Sequence, residues 1–304
     1  MIYTVTLNPS IDYYVACNGL KMGQTNRTDK AELVVGGKGI NVSIMLKRMG
    51  VESTALGFVA GFTGDEIVRR LAELGINTDF VKLDGGESRI NVKIEDVEGT
   101  EINAPGPAVS TEAVNSLLDK ISKAKEGDLL IMSGSIPRGI PSDIYEKMAK
   151  ICTNKGAQFI IDAEGELLLN TLKYKPVLVK PNQKELESLF DVKVSGPSDA
   201  IKYGSRLVDM GACNVIVSMA GDGAVLITHE GRSIYHEAVK GDFVNGVGAG
   251  DSMIAGFVAG MCVESDAERA FLQGIAAASA TAFSTGLGDE KIIKKIYEKV
   301  LTTL

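Results

Sequence analysis

A chain of 304 residues with 45% hydrophobic and 23% charged side chains can bury a large core and has the makeup of a soluble globular protein, not a disordered one. A net charge of −7, with no basic run longer than two residues, excludes an extended nucleic-acid surface, so small anions have to be met by local sites. The four cysteines, Cys17, Cys152, Cys213 and Cys262, form no C-x-x-C pair, and only His229 and His236 could join them; a zinc-type cluster is excluded and buried thiols in a reducing compartment are expected.

The N-terminus, Met1-Ile-Tyr-Thr-Val-Thr-Leu7, has no basic leader region, and the longest apolar run, Met253 to Val263, is too short to span a bilayer. A cytoplasmic protein is expected, without a membrane or nucleic-acid partner. Ile2 to Leu7 alternates as a strand does and stops at the turn signal Asn8-Pro9-Ser10,. Asp12, just past that strand end, reads either as an acid facing a ligand or as a turn cap. Tyr13 to Ala16 and Ala31 to Val35 are strand-like pieces without helical periodicity, a small β excursion. Gly36-Gly-Lys-Gly-Ile-Asn41 then leads into an apolar helical face over Val42 to Met49, with Gly50 as its stop,. Lys38 lies inside the glycines and no G-K-S/T follows, so this is no Walker loop. Lys38 and Asn41 are open to two readings, contacts for a polar substrate or an ordinary turn and helix cap.

From residue 54 the rhythm is strand then helix: Thr54 to Val59, a helix from about Gly64 to Leu74, and Val81 to Leu83 paired with Arg89 to Ile94. Glu101 to Asn103 is a partner for the latter, a second β excursion. The two excursions, about residues 11–35 and 87–104, are expected to join as one small sheet lying over the main sheet as a lid. The second half gives strands Leu129 to Met132, Phe159 to Asp162, Val177 to Val179, Val215 to Val217 and Ala224 to Ile227, with helices about 141–154, 182–190 and 198–211. This order predicts an α/β fold: a mainly parallel central sheet with helices on both faces, one domain over 1–304, and ligands at the carboxyl ends of the strands. Three of those ends open polar or glycine-rich loops, Ser133 to Arg138, Lys180 to Glu185 and Ser218 to Gly223. Two apolar helices, about 252–262 and 267–284, close the chain; Ala276 to Ala280 read as core or as a slot for a flat ring.

Asn245-Gly-Val-Gly-Ala-Gly-Asp-Ser-Met253 sets three glycines and an acid before the first of these helices. Free N–H groups at such a helix start and its positive dipole end suit an anion. Asp251 beside a phosphate would repel it as a ligand, which leaves it as a base for the attacking group or simply as a cap.

The order of Gly36-Gly-Lys-Gly-Ile-Asn41, Lys180-Pro-Asn-Gln-Lys-Glu185 and Gly248-Ala-Gly-Asp251 resembles the ribokinase-like sugar kinases of the phosphofructokinase B type, over essentially the whole chain. The segments Thr4 to Asp12, Ile94 to Pro107 and Gly250 to Met253 are most similar to members that phosphorylate ketohexose phosphates. The resemblance implies transfer of the γ-phosphoryl group of ATP, with Mg2+, to a sugar-phosphate hydroxyl. The first expectation is the 6-hydroxyl of fructose 1-phosphate, giving fructose 1,6-bisphosphate. Tagatose 6-phosphate is the alternative, with fructose 6-phosphate or a non-catalytic sugar-phosphate sensor behind it. Carried over residue by residue, Asp251 is the base, and the amides of Gly248, Ala249 and Gly250 stabilise the transferring group. Asp12, Gly37 and Asn41 match sugar-hydroxyl positions, and Lys38, Arg89 and Arg138 are candidates for the substrate phosphate. Arg27 reaches that phosphate from a partner subunit if the lids pair as a homodimer. Lys180, Asn182 and Ser218, Met219, Ala220, Gly221, Asp222 and Gly223 match the nucleotide side, and Glu185 the magnesium, through water. Two departures stand out. Gly246 replaces a residue that commonly carries a hydroxyl, and Asn103 stands where related 6-phosphofructokinases place an arginine, which argues against fructose 6-phosphate. No G-x-G-x-x-G follows the first strand, so a dinucleotide-dependent oxidoreductase is excluded.

Overall fold

The computed structural model describes residues 1–17, 19–94, 100–264 and 266–302. Residues 18 and 95–99 of the two expected excursions, and 303–304 of the expected single domain, lie outside the described residues. The first strand-like run forms β1 (Ile2–Thr6), and beyond Asn8 and Pro9 the chain extends again as β2 (Ser10–Ala16) and β3 (Lys30–Gly36). Asp12 therefore lies inside β2 and not at the end of β1, because the turn is only long enough to redirect the chain. α1 (Lys38–Arg48) starts earlier than its apolar stripe does, so Lys38 and Asn41 occupy its first turn. Next come β4 (Thr54–Ala60), α2 (Gly61–Glu73), β5 (Asn77–Thr78), β6 (Val81–Leu83), β7 (Arg89–Ile94) and β8 (Thr100–Asn103).

The second half runs α3 (Thr111–Ile121), β9 (Leu129–Ser133), α4 (Ile144–Lys155), β10 (Gln158–Asp162), α5 (Glu166–Leu172), β11 (Leu178–Val179), α6 (Gln183–Phe190) and α7 (Pro197–Asp209). It continues with β12 (Asn214–Ser218), a 3-10 turn at Ala220–Asp222, β13 (Ala224–Thr228), β14 (Ser233–His236), α8 (Ala249–Glu264), α9 (Ala267–Ala282) and α10 (Glu290–Leu301). The helices α3, α5 and α10 were not expected from the sequence. Ser110 and Asp289 cap α3 and α10 by accepting from Ala113 N–H and Ile292 N–H.

The strands of the large sheet lie in the order β14-β13-β12-β11-β10-β9-β1-β4-β5, with β6 also on β4. Every pair from β12 to β4, and both strands on the β4 edge, run parallel; only β13 and β14 are antiparallel additions. Period-two alternation divides the side chains between two cores. Leu130, Phe159, Val215 and Val225 meet α3 to α7 on one face, while Ile131, Ile160, Ile216 and Leu226 meet α1, α8, α9 and α10 on the other. Val81 to Leu83 does not pair with Arg89 to Ile94 as expected: β6 stays on β4, and β7 leaves for a separate four-stranded sheet, β3-β2-β7-β8. The break lies at Gly85 and Gly86, with Gly86 at φ 82, a left-handed turn that sends the chain off the main sheet.

Of the cysteines expected to be buried, only Cys152 is; Cys17 and Cys213 are half-buried and Cys262, near the end of α8, is exposed. Ala276, Ala277 and Ala280 serve helix packing, sealed in the core with Ile254 and Phe257 of α8. The helices approach so closely at Gly256 that a methyl group there would lie 2.5 Å from the Gln273 carbonyl oxygen.

A buried chain of hydroxyls fixes the start of α8. Gly288 N–H donates to Thr281 Oγ1 (3.0 Å), Thr281 and Ser252 share a hydrogen bond (2.7 Å), and Ser252 Oγ donates to Gly248 O (2.8 Å). The direction of the last bond leaves Thr281 as donor to Ser252. Thr281→Val keeps the shape but strands a buried N–H, so it should destabilise by about 1–3 kcal/mol. Urea unfolding should show a lower midpoint with an unchanged m-value.

Candidate active site

Parallel strands all end on the same edge of their sheet, so the segments after β1, β9, β10, β11 and β12 converge there. Several of the residues read from the sequence, Lys38, Asn41, Lys180 and Asp251 among them, come together at this edge from distant segments. Asp251, in the first turn of α8, is buried, and its Oδ2 accepts from Nδ2 of Asn41 in α1 at 2.8 Å. Gly248, at φ 81, gives the chain the left-handed turn that opens α8. Of the three amides expected to meet a phosphoryl group, that of Ala249 donates to Gly246 O at 3.2 Å. The amides of a first helical turn have no acceptor within the helix, and with the dipole they make an anion-seeking surface.

Beside Asp251 lies a group that sequence reasoning missed. Asp162, the last residue of β10, is buried between two ammonium groups, Lys38 Nζ at 3.1 Å from Oδ2 and Lys180 Nζ at 3.4 Å from Oδ1. Its signal was present, an acid ending an apolar strand run, the same feature that drew attention to Asp12. Lys180 is itself buried and passes over Gly250, where a methyl group would stand 2.9 Å from its Nζ. Glycine at 250 is therefore needed for the close approach of Lys180 to the helix start.

These charges set one another's protonation. Burial pushes Asp251 up, the nearby Asp162 charge adds to this, and Asn41, Lys180 and Lys38 only partly offset them, so Asp251 takes up its proton at about 7. Burial also opposes ionisation of Asp162, but Lys180 and Lys38 hold it below the usual carboxylate range. For Lys38 burial pulls downward and Asp162 and Asp251 outweigh it, which keeps the ammonium charged. The result is one carboxylate that stays ionised and another that exchanges a proton near neutrality, the division of labour that acid-base chemistry requires.

On the other side of α1 lies a polar cluster at the root of the small sheet. Asp12 Oδ1 accepts from Ser10 Oγ (2.7 Å) and from Asn91 Nδ2 (2.8 Å), and Arg89 Nε donates to Asn8 O (3.1 Å). Gly37, at φ 128, joins this root to α1. Asn91 is a second residue the sequence reading passed over, since one asparagine inside an alternating strand carries no distinguishing pattern. The loop after β9 comes beside Lys38 at Gly134, whose carbonyl is fixed by Tyr145 Oη at 2.9 Å. Arg138, further along that loop, is exposed. Arg27 stands in the exposed loop joining the far ends of β2 and β3, outside this network; a seven-residue strand puts it about 20 Å from Gly36.

Past Lys180, Asn182 caps α6. Its Oδ1 accepts from Glu185 N–H (2.9 Å) and Glu185 Oε2 accepts from Asn182 N–H (2.8 Å), a reciprocal capping box. Asn182 also bridges to Ser218 at the end of β12. Ser218 to Gly223 turn tightly there: Met219 N–H donates to Gly223 O at 2.8 Å, Ala220 takes φ 48, and Ala220, Gly221 and Asp222 are exposed. A backbone held in such a turn on a strand end is open to a ligand's phosphates. The edge thus presents a polar end by the small sheet, a polar end by the β12 turn, and Asp251 with two lysines between them. No helix among the described residues is long and apolar enough to cross a membrane.

Residues 5–293 match the pfkB family carbohydrate kinases. The chain is 46% identical over 304 residues to the 1-phosphofructokinase of Bacillus subtilis, covering 100% of this chain and 99% of that protein. It is 39% identical over 290 residues to the D-tagatose-1-phosphate kinase of Bacillus licheniformis, 95% of each. The crystal structure of Escherichia coli phosphofructokinase-2 with fructose-6-phosphate has a TM-score of 0.91 at 28% identity, with 99% of both chains covered. With the glycine motifs, the parallel sheet and the residues gathered on its carboxyl edge, this chain belongs to the pfkB family of carbohydrate kinases, as an ATP-dependent sugar-phosphate kinase of ribokinase-like fold.

Proposed function

We propose that the protein phosphorylates fructose 1-phosphate at its 6-hydroxyl, giving fructose 1,6-bisphosphate. The observation that carries this reading is Asp251: a buried carboxylate at a helix start, oriented by Asn41 and titrating at about 7. The hydroxyl oxygen attacks the γ-phosphorus as its proton passes to Asp251; the bond to the β–γ bridging oxygen breaks and the nucleoside diphosphate leaves. The amides of Gly248 and Gly250 stabilise the charge spread over the transferring oxygens, and that of Ala249 joins them once it is released from Gly246 O,. Asp12, Gly37 and Asn41 hold sugar hydroxyls, while Lys38, Arg89 and Arg138 meet the phosphate already on the sugar. Lys180, Asn182 and the turn Ser218 to Gly223 hold the nucleotide phosphates.

The donor set also suits magnesium. No group of three His, Cys, Asp or Glu side chains among the described residues could cage a metal ion, and Glu185 already commits Oε2 to its helix cap. Magnesium commonly keeps its waters and takes phosphate oxygens, so Glu185 would hold it through water, and it would neutralise part of the phosphate charge. The fructose 1-phosphate reading is supported by the Bacillus subtilis relative, and phosphorylation of tagatose 1-phosphate is the second reading, favoured by the Bacillus licheniformis relative. Both share a phosphate at carbon 1, unlike tagatose 6-phosphate or fructose 6-phosphate.

The small sheet reads as a lid. Asp12, Arg89 and Asn91 share its inner face by register, and Leu33, Tyr13, Val92 and Ile102 align across the other. Leu33, Ile90 and Ile102 are 40%, 42% and 61% exposed, an apolar surface suited to a second copy of the chain. A homodimer paired there would cover it and would bring Arg27 to the neighbouring site.

Asp251→Asn should fold as the parent does, by circular dichroism, and lose about 10²–10⁴-fold in kcat; a well-folded, active variant would falsify the base assignment. Because the base must be ionised, kcat/KM of the parent should fall on acidification through about pH 7. Turnover of ATP compared on fructose 1-phosphate, tagatose 1-phosphate, tagatose 6-phosphate and fructose 6-phosphate should favour the first, and preference for a 6-phosphate would overturn the substrate reading. Light scattering should give a dimer that Ile102→Asp converts to monomer; a monomeric parent would refute pairing through the lid.

A further inference from the structure

Asp162 has no part in the chemistry described so far, yet it touches both lysines. Thr6, Ser133 and Asp162 are register partners across β1, β9 and β10, so their side chains project to one face, that of α1 and α8. From there each carboxylate oxygen lies near a different ammonium: Oδ2 is 3.1 Å from Nζ of Lys38, which begins α1, and Oδ1 is 3.4 Å from Nζ of Lys180, which follows β11. The two cations thus come from the sugar-phosphate side and the nucleotide side, and a single anion holds them at one place. Asp162 and Lys180 are buried and Lys38 reaches them from a more open position, its side chain 38% exposed, so one anion faces two cations of which one is open to solvent. This arrangement suits a site that awaits an anion. Without Asp162 the two ammonium groups would repel each other, and each long, flexible side chain would swing away from the other.

We infer that Asp162 is a positioning residue for phosphoryl transfer, holding the ammonium groups of Lys38, from the sugar-phosphate side, and Lys180, from the nucleotide side, in fixed places beside Asp251. This rests on the reading of the two lysines as phosphate ligands. A second effect follows from the same geometry. The charged and polar groups facing Asp251 are Asp162 from β10, Asn41 and Lys38 from α1, and Lys180 from the segment after β11. Asp162 is the one negative charge among them, and it balances the cations that would otherwise make Asp251 a weaker base. Removing it both loosens the lysines and moves the protonation of Asp251 to lower pH.

The test uses the full chain and its kinase assay with fructose 1-phosphate and ATP. Asp162→Asn should lower kcat by about 30-fold or more, with either KM changed by no more than about threefold. The acidic limb of the pH–kcat/KM profile should move down by about one pH unit. Asp162→Glu, which restores the charge, should return the limb toward its original position. In a Lys38→Met background the loss caused by Asp162→Asn should shrink by about tenfold, because one of the held cations is already gone. Losses that simply multiply, a limb that stays in place, or near-parental kcat in Asp162→Asn would each overturn the proposal. If Asp162→Asn does not fold, Asp162→Ser, which leaves room for water, is read by the same criteria. Parental activity of Lys38→Met and Lys180→Met would instead remove the lysine reading beneath the proposal, and so separates the two failures.

Discussion

A parallel sheet covered on both faces leaves only its edges for chemistry, and this constraint organises the whole molecule. Strands that run the same way bring their carboxyl ends to one edge, where the backbone must turn to reach the next helix. The edge therefore collects short polar segments from positions far apart in sequence: Asn41 and Asp251 are 210 residues apart and share a hydrogen bond. No single motif builds the site. Each of the three glycine-bearing segments supplies backbone freedom and a side chain or two, and the sheet makes them neighbours.

Much of that arrangement could be read from the residues. The continuous apolar runs Leu129 to Met132, Phe159 to Ile161 and Val215 to Val217 are the pattern of strands buried on both faces, and they occupy β9, β10 and β12 of the large sheet. What escaped had physical reasons. The period-two signal says which way side chains point but not which strand lies alongside, so Arg89 to Ile94 is given Val81 to Leu83 as a neighbour as well as Glu101 to Asn103; only the latter pairs with it, and β2 of the first excursion takes its other side. α10 carries Ile293, Ile296 and Val300 at helical spacing, yet its lysines dilute the stripe. Asp162 escaped because an acid at a strand end is common and only contact with two lysines sets it apart.

Burial does opposite things to two neighbouring carboxylates here. Asp251 and Asp162 are both sealed from water, but Asp162 sits between two ammonium groups, while Asp251 has one amide hydrogen bond and cations further away. Desolvation alone would raise both. The placement of Lys38 and Lys180 decides which acid keeps its charge, so the division between a permanent anion and an exchangeable one is a matter of position, not of residue type.

The connection between the small sheet and α1 has a mechanical meaning. β3 ends at Gly36 and α1 begins at Lys38, so Gly37 alone separates a strand of the outer sheet from the helix turn that carries Lys38 and Asn41. A rotation of the sheet about that residue cannot be absorbed in a loop. The outer sheet, the first turn of α1 and, through Asn41, the carboxylate of Asp251 are joined across that one residue, so their positions are set together.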